Sequence, residues 1–537
     1  MAEIFGTVIT AINAFEIVLA VGKFLKSGIE NAQSFGDDTG QLVIKMHNQQ
    51  VRASQLKLLL FGELSGSSIK DEKGQIRPCW FLRLPIEAMV TVSDSLQECQ
   101  RVTQRYHILQ KYGFSTSEIR DAFGDDNKKQ HSNTSYTTIL KWAFHDKKKA
   151  VKMIAEYREW VEDVYQLVLG YFLAKEHDIV QLQALEENKE AQELEIAKSL
   201  RLKRIIESDP MIADNEVVLL ELDMLNTVVS DNETTCSLNQ GTFAEENVLL
   251  EFIEYVVDRT AVQGVPEGIG AQVERLAKLM QSPKPREILG LRSQGYVHQP
   301  GKQRFAFVYE FPGNMKNPVT INLSELLCRH TKFRPSLTRR LVLAHQLALA
   351  VLNLHTLGWV HKSLRSSNVV FFRSKPDWKL TSQERLFEPW LCGFEYSRPV
   401  DAETWKLADR NLLRNIYRHP RRWGKPTTKF EKEHDIYALG VMLLEIGLWE
   451  PAVSFERQGF KDWADEPDKV KERMLEHASK RLGFFAGEAY QRVVLGCLEG
   501  TVGLGIDGLR CEEALKEDVV DELHGLCRSE EMGSAAG

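Results

Sequence analysis

The chain has 537 residues, 43% hydrophobic and 27% charged, with a formal net charge of −7. That length holds about two to four domains, each able to bury its own core, and the acidic balance excludes a polycation built for nucleic acid. Eight cysteines lie scattered from Cys79 to Cys527 with no CxxC pair and no Cys/His cluster, a pattern of reduced cytosolic thiols that implies neither a disulfide framework nor a metal site.

The N-terminus shows no signal peptide: Glu3 occupies the place of a positive n-region, and no small-residue cleavage site follows. Ile4 to Gly22 is nonetheless strongly apolar, with Glu16 as its one charge, and its length approaches the about 20 residues of a bilayer span. On a helix, Thr7, Thr10, Asn13 and Glu16 make one narrow polar stripe, while Ile4, Phe5, Val8, Ile12, Phe15 and Leu19 cover the rest. Two readings stay open. The segment is a buried helix of a bundle, the commoner case and the one expected for the resting protein, or it is a metastable helix that can enter a membrane. Lys23 and Lys26 flank it, placed to reach lipid headgroups.

Up to about residue 208 the pattern stays helical. Leu42, Met46, Ala53, Leu56 and Leu60 keep one stripe after the Phe35-Gly36-Asp37-Asp38 turn, and Ala150, Ile154, Tyr157, Val161, Val164 and Val168 recur at spacings of three and four. A polar loop over Gly124–Ser135 precedes the helix of Trp142. Alternating β-type runs are scarce, so an all-α helical bundle is expected. Gln181 to Ser208 is densely charged and free of Gly and Pro, reading either as a solvated connecting helix laced with i,i+4 ion pairs or as the last helix of the bundle.

After Asp209-Pro210 the pattern changes. Short β-branched and aromatic runs, Val248-Leu249-Leu250 and Phe305 to Tyr309, give way to a helix-rich stretch from Leu337 onward, the order of an α+β domain with a small β lobe and a larger helical lobe. The expected layout is multidomain: a bundle with its connecting helix over 1–205, a linker over 206–234, a bilobal α+β domain over 235–527, and a disordered tail over 528–537.

Several segments of the second half resemble protein kinases. His361-Lys362-Ser363-Leu364-Arg365-Ser366-Ser367-Asn368 is similar to the catalytic loop, His-Arg-Asp followed four residues on by Asn, and the apolar helix Leu341 to Leu357 precedes it. Leu391-Cys392-Gly393-Phe394-Glu395-Tyr396-Ser397-Arg398 resembles the Asp-Phe-Gly segment, and Tyr417-Arg418-His419-Pro420 stands where kinases carry Ala-Pro-Glu. Asp435 to Glu445 resembles the buried helix that braces the catalytic loop, and Tyr309, Glu310 and Phe311 end a strand similar to the hinge between lobes. The landmarks fall in the right order, so the resemblance implies a protein-kinase-like fold, with His361, Phe394 and Asp435 as structural brace and spine residues.

The chemistry of that family does not carry over. Phosphoryl transfer needs a carboxylate near the incoming hydroxyl, metal-binding groups and a lysine–glutamate pair on the phosphates. Ser363 replaces the catalytic Asp, Gly393 the metal-binding Asp, and Glu395 the glycine two residues later, while Asn368 alone survives on the metal side. Gly241 is the one glycine where a glycine-rich loop belongs, and the strand Val248-Leu249-Leu250-Glu251-Phe252-Ile253 holds no lysine. A pseudokinase is expected, with no catalytic residue, no metal and no required cofactor. The hinge at Tyr309, Glu310 and Phe311 leaves room for weak ATP binding only, and a rival reading keeps an active, unorthodox kinase.

The first half resembles the fungal HeLo (prion-inhibition and propagation) domain in two stretches. One is Met1-Ala2-Glu3 and Phe5-Gly6, the hydrophobic helix, then Phe35-Gly36-Asp37; the other is Lys141-Trp142-Ala143-Phe144-His145-Asp146-Lys147-Lys148-Lys149. The resemblance covers roughly residues 1–205 and implies a bundle that turns cytotoxic when its first helix enters a membrane, as in heterokaryon incompatibility. A bundle joined to a pseudokinase is also the layout of mixed-lineage kinase domain-like proteins. The expected function is a regulatory pseudokinase controlling a membrane-permeabilising bundle. Its expected partners are anionic lipid on activation, an upstream protein the sequence does not identify, and further copies of the chain in the active state, without nucleic acid. The expected location is the cytoplasm, with relocation to the plasma membrane. A non-toxic scaffold is the third reading.

Overall fold

The computed structural model describes residues 15–30, 39–61, 147–174, 179–207, 218–227, 238–255, 265, 269–315, 318–329, 333–373, 388–399, 411–424, 429–502 and 509–527, apart from Ile17, Gly28 and Ala464. The chain divides into two compact units, Met1–Leu200 and Arg201–Gly537.

The described part of the first unit is helical. Residues 15–16, 18–27 and 29–30 form α1, followed by α2 (Thr39–Phe61) and α3 (Lys147–Ala174). The stripes read from the sequence face inward: Met46, Ala53 and Leu56 on α2, and Tyr157, Val161 and Val164 on α3, are fully buried. Arg52 joins the two helices through Glu162 at 2.6 Å while its guanidinium lies 4.0 Å from the centre of the Tyr165 ring.

The charged stretch after Gln181 is not one solvated helix. It folds as α4 (Ile179–Glu186), α5 (Lys189–Glu193) and α6 (Ile196–Glu207). Asn188 caps α5 by accepting from Ala191 N at 2.9 Å, and Glu195 turns the chain with φ of 64°. Leu182, Ala191, Ile196 and Leu200 are buried, so an apolar pattern of short period was hidden among the charges. The ion pairs exist, Lys189–Glu193 at 3.7 Å and Lys203–Glu207 at 3.4 Å, but they sit on separate pieces.

The second unit mixes a curled antiparallel sheet with helices. Strands β1 (Leu225–Thr227), β2 (Leu238–Phe243), β3 (Glu246–Glu254), β4 (Ser293–Gln299) and β5 (Arg304–Tyr309) lie in the order β1-β2-β3-β5-β4. The sheet therefore starts inside the stretch read as linker, at Leu225. One face of β3 and β5 supplies Val248, Leu250, Ala306 and Val308 to a core with Leu225 and Val297. The other face carries Leu249, Glu251, Phe307 and Tyr309, with Glu251 opposite Phe307 and Tyr309 opposite Leu249. Helix α7 (Ile269–Gln281) follows β3 and pairs its buried Lys278 with Glu274 at 3.3 Å.

The rest is helix-rich. β6 (Val319–Asn322) leads into α8 (Leu323–Cys328), which Asn322 caps, and Ser336 caps α9 (Leu337–Thr356). Then come β7 (Trp359–Val360), β8 (Val369–Arg373), β9 (Trp390–Leu391) and β10 (Arg398–Pro399), which form the small sheets β6-β8-β9 and β10-β7. Helix α10 (Lys432–Leu448) is buried from His434 to Leu448; α12 (Glu488–Glu499) packs against it, and α11 (Pro467–His477) packs against α12. A Cβ on Gly440 would come within 2.7 Å of Cys497, so the small residue lets α12 approach closely. Arg340 satisfies the C-terminal carbonyls of α10 by donating to Gly447 O, and its other arm reaches Phe485 O.

Candidate functional site

The loop between β7 and β8 is held by one carboxylate. Asp435, in the first turn of α10, accepts from His361 N at 2.7 Å and from Lys362 N at 2.9 Å, and lies 3.3 Å from His355 Nε2. Lys362 adopts a left-handed φ of 69°, so these two amides fasten a turn that an L residue adopts at a cost. Burial raises the Asp435 carboxyl, but the bonds from His355 and His361 outweigh it and hold the group below its ordinary range. Burial pushes His361 down to about 4, leaving a neutral ring tilted against Phe394 with ring centres 4.5 Å apart. Burial and the neighbouring Arg398 and Arg422 bring Lys362 down to about 7.

Ser363 and Asn368 of this loop converge with Gly393 and Glu395 of the turn after β9. Asn368 Nδ2 donates to Ser363 O at 2.9 Å and lies 3.3 Å from Ser363 Oγ, while Arg365 donates to that hydroxyl at 2.9 Å. Ser363 Oγ in turn sits 3.4 Å from Glu395 Oε1. Cys392 N donates to Asn368 O at 2.9 Å, which brings Gly393 against the Asn368 side chain. Gly393 has φ of 88°, and a Cβ there would collide with the Asn368 amide. The glycine thus serves two needs, a left-handed backbone and a space that Asn368 fills.

The residue that sequence reading left out is Glu251. It projects from β3 with 2% exposure, and its Oε1 accepts from Glu395 N at 3.0 Å. Burial and the adjoining Glu395 carboxyl hold Glu251 well above the ordinary carboxylate range. Tyr309 lies beside the same carboxyl, and burial followed by Glu251 raises its hydroxyl. The signal was a lone charge in the middle of an apolar strand, read as a missing lysine and not as a group with its own partner.

The hinge candidates are split. Tyr309 is buried beside Glu251, Glu310 is exposed and donates its N–H to Arg292 O at 3.1 Å, and Phe311 meets Phe372 edge-on at 6.0 Å. Behind the loop, Ser366 Oγ lies 2.7 Å from Tyr417 Oη, whose hydroxyl donates to Glu445 Oε1 at 2.8 Å, and Ala452 N donates to the same oxygen at 2.7 Å. Burial pushes Glu445 up to about 7. Among the described residues no group of three metal-ligating side chains could hold an ion.

In the first unit, Ile4, Phe5, Val8 and Ile12 lie outside the described residues; Phe15, Glu16 and Leu19 lie within them. Phe15 is 1% exposed and packs edge-on against Trp160 at 5.6 Å. Glu16 pairs with Lys57 of α2 at 3.5 Å, both side chains largely shielded, and Leu19 is half-buried. Gly22 lies so close to α3 that a Cβ would come 2.5 Å from the Tyr157 hydroxyl, which is buried without a hydrogen-bond partner. No helix among the described residues is long and apolar enough to cross a membrane.

Comparison with known proteins finds two families. Residues 312–505 match the model of a domain of unknown function, DUF7580, which spans the loop of His361, the Gly393 turn and α10. No curated protein matches the chain. Residues 27–196 match the model described as prion-inhibition and propagation, and the N-terminal unit therefore carries a HeLo domain.

Proposed function

We propose that this protein is a cell-death or incompatibility effector of the HeLo type, with the N-terminal bundle as its output and the C-terminal unit as a catalytically inactive, kinase-like regulator. The HeLo match over 27–196 carries this reading. The seating of Phe15, Glu16 and Gly22 against Trp160, Lys57 and Tyr157 supports a first helix stored in the bundle at rest. On activation that helix meets anionic lipid, copies of the chain assemble, and the protein moves from the cytoplasm to the plasma membrane.

The kinase-like half of the proposal is supported by an antiparallel sheet placed ahead of a helical region and by Asp435 gripping the loop of His361 and Lys362. Its inactivity follows from the groups present. Ser363 offers a hydroxyl where a carboxylate would accept the proton, Gly393 offers no ligand to a metal, and Glu251 puts a carboxyl on the strand expected to bear a phosphate-binding lysine. No cofactor is required, and ATP binds weakly if it binds.

The test is dye release from anionic vesicles by residues 1–205 and by the full chain, with circular dichroism as a folding control. The fragment is expected to leak and the full chain to leak less. Val8→Asp adds about 2.5–3.5 kcal/mol to insertion and should silence the fragment. A folded Val8→Asp fragment that leaks like its parent overturns the membrane role, and a bundle that never leaks returns the protein to the scaffold reading. Phosphate transfer from Mg-ATP by the full chain, lost on Asn368→Ala, overturns the inactive one.

A further inference from the structure

The junction between β3 and the Phe394 turn brings two carboxyl groups together with little to separate them. Glu251 and Glu395 are both shielded, and Glu251 Oε1 already accepts from Glu395 N at 3.0 Å. Its second oxygen, Oε2, is buried and makes no hydrogen bond. Two adjacent buried carboxylates cannot both stay ionised, because each would lose its hydration and face the other's charge. A carboxyl that keeps its proton becomes a donor, and the neighbouring carboxylate is the acceptor within reach.

We propose that Glu251 and Glu395 share one proton, and that this shared proton is the clasp joining the sheet of the C-terminal unit to the turn after β9 that carries Gly393 and Glu395. Each element packed on the pair contributes a group. Tyr309 comes from β5, Cys392 and Glu395 from the turn after β9, and Arg365 and His361 from the loop, with Arg365 4.0 Å from Glu395 Oε1 and Asp435 beyond His361. One guanidinium at that distance, already bonded to Ser363 and Ser367, does not neutralise two carboxylates. Burial and Glu395 raise the Glu251 carboxyl well above its ordinary range, consistent with a proton held at neutral pH. Such a group stabilises the fold fully below its unfolded pKa and loses that contribution as pH climbs toward the folded value. The clasp therefore loosens with alkalinity, and the turn of Glu395 parts from β3.

The full chain bearing Glu445→Gln, which removes the other carboxyl that titrates near neutrality, is the parent for the test. Its apparent melting temperature should fall by several degrees between about pH 6 and about pH 9. Adding Glu251→Gln, which keeps a neutral donor in place, should flatten that slope and give the higher melting temperature at the alkaline end. Infrared spectra of the parent at neutral pH should contain the stretch of a buried carboxylic acid, and Glu251→Gln should remove it. An unchanged slope in the double variant overturns the clasp. If that variant does not fold, the parent spectrum decides alone: no protonated carboxyl at neutral pH sinks the proposal. A slope abolished by millimolar magnesium or calcium also overturns it, since a cation would then occupy the place given to the proton.

Discussion

Asp435 and Glu251 hold two adjoining turns: Asp435, at the start of α10, grips the loop of His361 and Lys362, and Glu251, in the middle of β3, grips the turn of Glu395 after β9. Both are buried to within 2% of complete exclusion. Asp435 faces two backbone amides and a histidine, so donors surround it and its charge is kept. Glu251 faces one amide, a tyrosine and a second carboxyl, so acceptors compete and its proton is favoured. Burial is common to both and decides neither. The supply of donors decides, and it fixes which of the two turns is held by charge and which by a neutral group.

The largest effect should come from removing the charged hold. Asp435→Ala leaves His361 N and Lys362 N buried without an acceptor, with Lys362 still in a left-handed turn. Losing one partner of a buried charged network costs about 3–5 kcal/mol, and urea denaturation should show a midpoint lowered accordingly or a C-terminal unit that no longer folds. Glu445 tests the rule on a third carboxyl. Burial raises it to about 7, so its contribution is whole below about pH 4.5 and is lost as pH rises to about 7. That window is worth about 3 kcal/mol, and Glu445→Gln should remove most of that part of the pH dependence in calorimetry at a series of pH values.

A smaller loss is expected at the point where the two holds meet. Gly393→Ala places a Cβ against Asn368 and forces a left-handed φ on an L residue. The cost should be about 2 kcal/mol, and Asn368→Ala in the same chain should recover part of it; additive losses in that double-mutant cycle would mean the two side chains do not compete. The smallest effect lies in the first unit and has the opposite sign. Tyr157 carries a buried hydroxyl with neither donor nor acceptor opposite it, beside Gly22. Tyr157→Phe removes that unmet group and should stabilise the bundle by about 1 kcal/mol, read as a raised melting temperature and, if the first helix is released in action, as slower vesicle leakage.

Much of the fold could be read before any coordinates. The stripes on α2 and α3 and the apolar runs of β3 and β5 announce themselves because their burial follows a local pattern, and α10 was legible through resemblance. Strand β1 did not, since Leu225–Thr227 is too short to show alternation and pairs with β2 across a gap in sequence. The three pieces α4 to α6 were masked by their charge density; the break at Asn188 depends on a cap, and that at Glu195 on one positive φ. The site divides in the same way. Ser363, Asn368, Gly393 and Glu395 were legible through their order along the chain, which resemblance supplies. That Glu251 meets Glu395, and that Asn368 fills the space a side chain on Gly393 would need, are facts of three dimensions between residues 144 and 25 positions apart.

The contact between Gly393 and Asn368 also constrains how this chain can change over generations. Installing an acidic residue at position 393 meets the Asn368 amide at once, so a lone substitution there yields a weakened protein before it yields any new chemistry. Asn368 must first shrink or turn aside, and doing so gives up its bonds to Ser363. Each step toward a metal-binding pair at this place begins with a loss, and the order of steps is not free. The interlocked pair behaves as an epistatic ratchet, under which lineages descended from this sequence are expected to elaborate its surfaces and leave the centre as it is.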